Sequence, residues 1–228
     1  MGYPRFLPVA DHAVLVEFAE ALSPAAHRAV LRLDRALAAA PCAGLAEAVP
    51  SYVALMVVFD PVVTDHAAVT RHLRGLLEAP EAAVVTPVCH DIPVCYDTDL
   101  APDLEEVALR CGLTPEAVIA AHLAGVYDVA MYGFAPGYAY LAGVPEGIRL
   151  DRKPSPRRGV AAGSVIIAGP QCLITTLTMP TGWWVIGRSP ARILTGDPGR
   201  PFRFEVGDAV RFRRVDRAGF DRLSGGAA

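Results

Sequence analysis

The chain has 228 residues, is 53% apolar and carries a net charge of -3, which allows one large or, preferably, two small domains with ample apolar surface for a core. The longest apolar run is Val53–Phe59, far short of the ~20 residues that span a bilayer, and the first residues carry no basic, long-apolar leader, so a soluble cytoplasmic protein without membrane contact is expected. Charge is unevenly placed: residues 1–130 hold 7 Lys+Arg against 17 Asp+Glu and residues 131–228 hold 14 against 7, so the basic half can hold an anionic substrate, dock an acidic partner or fold back on the acidic half.

Residues 5–19 read as a strand or a short hairpin. Ser23 then caps a helix with Pro24 at its first position, and Ala26, Val30, Leu33, Leu37 and Ala40 recur at helical spacing. Arg28, Arg32 and Arg35 fall on its other side, as a solvated face or a surface for an acidic partner. Tyr52–Phe59 reads as a buried strand. A second helix follows, capped by Thr64, with Val69, Leu73, Leu76 and Leu77 on one face and Pro80 as its stop. Val84–Tyr96 alternates as a strand with one wet face, Val88, His90, Ile92, Val94 and Tyr96 sharing a side. The strand-helix-strand-helix order predicts a small α/β domain over residues 1–88.

Two short helices are expected next, Asp103–Cys111 and Pro115–Ala124, joined by Gly112, Leu113 and Thr114. Their spacing resembles a DNA-binding helix-turn-helix. The second helix, however, carries Glu116 and no Lys or Arg, whereas neutralising phosphates requires several cations, so no nucleic-acid partner is expected. From there to residue 215, short strand-like runs are punctuated by glycine and proline, the pattern of a β-barrel. Phe202–Arg213 reads as its closing hairpin around Gly207-Asp208. A barrel domain over 89–218 and a disordered tail over 219–228 complete an α+β organisation.

Within the barrel region, Val126–Arg188 interleaves glycine with aromatic residues. Glycine permits close backbone approach and rings supply flat, rigid walls, which suits a shaped pocket or a tight barrel corner. The five cysteines, Cys42, Cys89, Cys95, Cys111 and Cys172, lack any C-x-x-C pair or zinc-like spacing, so buried free thiols and no metal are expected; Cys172 as a nucleophile is the alternative. Lys153, the sole lysine, is followed by Pro154, so there is no Walker A loop. Ser164 lacks the second glycine of a G-x-S-x-G elbow.

Three motifs in order, GFAPGYAYLAG (133–143), KPSPRRGVAAGSVIIAGPQ (153–171) and PTGWWVIGRSP (180–190), resemble the allophanate hydrolase/urea carboxylase subunit 1 family, whose members include the B component of 5-oxoprolinase and the sporulation kinase inhibitor KipI. DHAVLVEFA near the start and FRFEVGDAVRF near the end extend the resemblance over nearly the whole chain. It implies an N-terminal α/β domain and a C-terminal cyclophilin-like β-barrel. It further implies a subunit 2 partner, with a third lactam-hydrolase subunit in 5-oxoprolinases, where the complex uses ATP to open 5-oxoproline to glutamate. Other members imply carboxyl transfer to urea, or a binding protein that inhibits a histidine kinase. The substrate expected is a small amide or lactam.

The resemblance also marks candidate residues. Arg157 and Arg188 match family arginines able to bind a carboxylate or phosphate bidentately, or to form structural salt bridges. Gln171 can orient an amide or stabilise a turn. His122 matches a family histidine, as a general acid or base or as a core residue bonded to the backbone. Phe134, Pro136, Gly137, Tyr138, Tyr140, Gly182 and Trp183 are candidate pocket walls, the alternative being barrel core. The chain departs from the family pattern at Ala161 for proline, Cys172-Leu173 for Thr-Gly, Thr175-Thr176 for Tyr-Pro and Met179-Pro180-Thr181 for Ser-Pro-Gly, so the wall after Gln171 is chemically its own.

Overall fold

In the computed structural model, which describes residues 2–80 and 86–225, the expected N-terminal hairpin is formed by β1 (Arg5–Val9) and β2 (Ala13–Glu17), paired antiparallel. It opens the first of two units, Met1–Thr86 and Pro87–Ala228. Helix α1 (Pro24–Ala39) starts where the Ser23 hydroxyl accepts the Ala26 amide at 3.1 Å, satisfying one of the amides that a helix leaves without an internal partner. Its Ala26, Val30, Leu33 and Leu37 are buried, as their spacing predicts.

Strand β4 (Ala54–Phe59) pairs with β2 and with β3 (Leu45–Pro50). Strand β3 is not expected from the sequence, because Leu-Ala-Glu-Ala-Val-Pro has little strand preference of its own; its ladder with β4 holds it. Helix α2 (His66–Glu78) is capped by Asp65 and not by the expected Thr64. The Asp65 carboxylate accepts the Ala68 amide at 2.8 Å, while the Thr64 amide is engaged with the Asp60 carbonyl in the preceding turn. The sheet order is β1-β2-β4-β3, and Val14, Val16, Leu55, Val57 and Phe59 meet Val30, Leu33, Leu37, Val69 and Leu73 in one core.

The second unit holds β5 (Cys89–Val94), α3 (Leu104–Cys111), α4 (Pro115–Ala124), β6 (Tyr127–Tyr132), β7 (Ala139–Ala142), β8 (Arg157–Val160), β9 (Ser164–Ala168), β10 (Gln171–Ile174), β11 (Met179–Thr181), β12 (Trp184–Arg188), β13 (Ala209–Arg214) and α5 (Arg217–Gly225). Seven strands form one sheet in the order β12-β9-β10-β7-β6-β13-β5, and β8 with β11 forms a separate ribbon. Past β5, Cys95 pairs with Arg188 through two backbone bonds of 2.8 and 2.9 Å. The first and last strands of the order thereby meet, and the sheet becomes a nearly closed barrel.

Both faces of β9, β10 and β12 are covered, which explains their unbroken apolar text. Val165, Ile167, Cys172, Ile174, Trp184 and Ile186 point to the main core together with Val107, Val118 and Ile119 of the two helices. Ile166, Ala168, Leu173 and Val185 point the other way, to a smaller core with Tyr138, Val160 and Trp183.

Three expectations are corrected. Residues 202–206 form no strand, and β13 pairs instead with β6 and, in parallel, with β5, so there is no closing hairpin: the Gly207 amide is tied to the Val129 carbonyl. Strand β5 has no wet face in its second half, where Ile92, Pro93 and Val94 are all buried; Val84 and Val85 lie outside the described residues. Residues 217–225 are helical where a disordered tail from 219 was expected, with Arg217 holding Asp99 and Asp221.

Candidate functional site

Asp103 is a buried carboxylate with three side-chain bonds, and its sequence context conceals this. It stands at the cap position of α3 but makes no cap bond. Its carboxylate, on a side chain 7% exposed, instead accepts from Lys153 Nζ at 2.6 Å, Arg157 Nη2 at 2.8 Å and the Val185 amide at 2.8 Å. Burial alone pushes this carboxyl up, but the Lys153, Val185 and Arg157 bonds outweigh it and hold it below its ordinary value. Arg157 therefore has a carboxylate partner inside the chain. Lys153 also lies over the Trp184 ring, whose Nε1 donates to the Asp151 carbonyl. The mostly exposed end of the loop between β7 and β8, residues 151–156, is anchored this way.

Five of the seven candidate wall residues meet in one cleft of about 150 Å3. Phe134, Tyr138, Tyr140, Gly182 and Trp183 line it, with Arg152, Ile166, Leu173, Met179, Pro180 and Thr181. Tyr140 meets Trp183 edge to face at 5.9 Å between centroids, and the Arg152 guanidinium lies 5.7 Å over the Trp183 ring. Phe134 is 78% exposed at the rim and holds φ +71, a backbone conformation uncommon outside glycine. The segment after Gln171 contributes Met179, Pro180 and Thr181 to this wall.

Pro136 and Gly137 lie apart from that cleft. The Thr176 hydroxyl donates to the Pro136 carbonyl at 2.7 Å, and a Cβ on Gly137 would come within 2.7 Å of Leu194. Thr176 and Leu194 belong to a second, larger cleft of about 270 Å3, together with Ala162, Gly163, Thr175, Arg188, Ser189, Pro190, Ala191, Arg192, Ile193, Phe220 and Ser224. The loop between β6 and β7 thus reaches from one cleft to the other. Arg188 is the only sequence candidate lining the larger cleft. Ser189 and Arg192 were missed: the first lies inside the third motif and the second just after it, and only the placement of Phe220 and Ser224 of α5 opposite them makes a cavity.

His122 and Gln171 line neither cleft. His122 is fully buried, bonded through Nδ1 to the Tyr96 hydroxyl at 2.8 Å, stacked on Phe212 at 4.4 Å and 3.7 Å from the Cys172 sulfur. Burial pushes its pKa down to about 3, so it stays neutral at physiological pH, and the structure places it as a core residue instead of a group that meets substrate. Gln171 starts β10 beside the Gly169-Pro170 turn, paired with Ala168 and Ala142. Cys172 is fully buried and its thiol is pushed up by burial, which removes the thiolate a nucleophile needs. Cys95 is buried as expected, whereas Cys89 is exposed.

Among the described residues no group of three or more His, Cys, Asp or Glu is placed to hold a metal, and no single helix is long and apolar enough to cross a membrane. Similarity to known proteins extends over nearly the whole chain. It is 34% identical over 216 residues to the B component of the 5-oxoprolinase of Bacillus subtilis (strain 168), covering 90% of each chain, and 34% identical over 215 residues to that of Escherichia coli O157:H7, covering 93% of this chain and 96% of the relative. The crystal structure of TTHA0988 superposes with a TM-score of 0.79 at 40% identity over 90% of this chain; this chain spans only 40% of that longer one. Residues 4–202 match the model of the carboxyltransferase domain, subdomain C and D, and the chain belongs to that family.

Proposed function

We propose that the chain is the B component of a 5-oxoprolinase, working with a subunit 2 partner and a third lactam-hydrolase subunit to open 5-oxoproline to glutamate at the expense of ATP. The observation that carries this reading is the 34% identity to the B components of two bacterial 5-oxoprolinases over at least nine-tenths of each. The clefts agree with a substrate-handling role. Opening a lactam requires that charge on its carbonyl oxygen be stabilised and that the ring be held for attack by water. The second unit offers ring walls in one cleft and guanidinium groups in the other. In the larger cleft the Thr175 hydroxyl donates to the Ala161 carbonyl and Ser189 Oγ accepts the Ala191 amide; among the described residues neither hydroxyl bonds to a His, Asp or Glu side chain, so the attacking group is assigned to the partners.

The test is co-expression with the partner subunits and measurement of glutamate released from 5-oxoproline with and without ATP. ATP-dependent release by the assembled complex, absent from the isolated chain, is expected. An assembled complex that leaves 5-oxoproline intact overturns the reading.

A further inference from the structure

We infer that the larger cleft of the second unit is a binding site for a small carboxylic acid, held by Arg188 and Arg192. Two cations line one cavity of about 270 Å3, and among the described residues neither makes a salt bridge there. Asp99, an acidic group that feels the Arg188 charge, is itself bound to Arg217 at 2.7 Å. Unneutralised charge focused in a cleft attracts an anion.

Arg188 is also pre-aimed. Its backbone is locked by the two bonds to Cys95, and its Nε donates to the Ala162 carbonyl at 3.2 Å, which leaves both terminal amino groups for a fork-like grip on two oxygens. Ser189 Oγ accepts the Ala191 amide at 3.1 Å, so its own proton is available as a further donor. Beside the polar Thr175, Thr176 and Ser224, the wall carries Ile193, Leu194 and Phe220, apolar side chains that suit a carbon skeleton next to the charge. A phosphate ion offers no such skeleton. The cavity lies just below the ~300–1,000 Å3 range of pockets for drug-sized ligands, which suits an acid of amino-acid size.

Which acid it is rests on the function proposed above: 5-oxoproline and glutamate both place a carboxylate on a short carbon chain. Calorimetric titration of the chain, alone and in the assembled complex, would use 5-oxoproline, glutamate, the uncharged carboxamide of 5-oxoproline and inorganic phosphate. One or both acids are expected to bind, with the preferred one identifying the source. The carboxamide should bind at least about tenfold more weakly, and Arg188→Gln and Arg192→Gln should each weaken the acid by about 10- to 100-fold. Arg71→Gln, an exposed position of the first unit that lines neither cleft, should leave acid binding unchanged. Arg192 is exposed, so its substitution tests the cleft without endangering the fold.

Equal binding by wild type and Arg192→Gln, equal binding of acid and carboxamide, or phosphate binding more tightly than either acid overturns the inference. Turnover of 5-oxoproline with an unchanged KM in both arginine variants sinks the cleft and leaves the function standing. Arginine-dependent acid binding by a complex that opens no 5-oxoproline does the reverse.

Discussion

His122 illustrates how one residue type supports opposite roles according to what surrounds it. Its imidazole, sealed among Tyr96, Tyr127, Phe212 and Cys172, loses affinity for a proton because no solvent or acidic group compensates the charge. Below pH 6.5 the unfolded imidazole takes up a proton that the folded one refuses until about pH 3. Its contribution is therefore complete above pH 6.5 and falls by about 1.4 kcal/mol per pH unit between those limits. Urea unfolding at pH 7 and pH 5 should show a stability loss about 2 kcal/mol smaller in His122→Gln than in wild type; equal losses would mean the folded imidazole is protonated normally. Asp103 shows the converse, a buried carboxylate kept ionised by two cations and an amide. Removing a single partner from such a group costs far more than the group contributes when paired.

Among the elements, the join between β5 and β12 sets both the barrel and the larger cleft. Gly187 lies where these strands meet, and a Cβ there would stand 2.7 Å from Val94 Cγ1 and 3.1 Å from the Cys95 carbonyl oxygen. Gly187→Ala is expected to push the strands apart, with a loss of about 1–3 kcal/mol from overpacking and weaker carboxylate binding through displaced Arg188. Thermal melting and titration on the same variant check both; a variant as stable as wild type would show that the join is loose. The loop between β6 and β7 has a comparable place. Its Pro136-Gly137 corner touches the wall of the larger cleft, while Phe134 and Tyr138 line the smaller one.

In the whole molecule, each unit has an apolar core of its own, the first around Leu33, Leu37 and Leu55, the second around the barrel strands and α3–α4. Both clefts are lined by residues of the second unit alone. Leu33→Ala should lower the stability of the first unit by about 2–5 kcal/mol and, below its melting temperature, leave carboxylate affinity unchanged; a matching loss of affinity would show that the clefts depend on the first core. Local order is legible in the amino-acid text. The Ser23 cap, the spacing of α1, the paired short helices and the run of short strands follow from neighbours a few residues apart, and the ordered motifs carried the family. Long-range packing was needed for β3, whose partner supplies its order, and for the role of Asp103, whose ligands lie 50 to 82 residues away. It also sorted the arginines that hold a carboxylate from those that do not. Arg157 and Arg188 look equivalent in the sequence, but one finds Asp103 and the other faces a cavity, because charge pairing depends on distances that only the closed barrel sets.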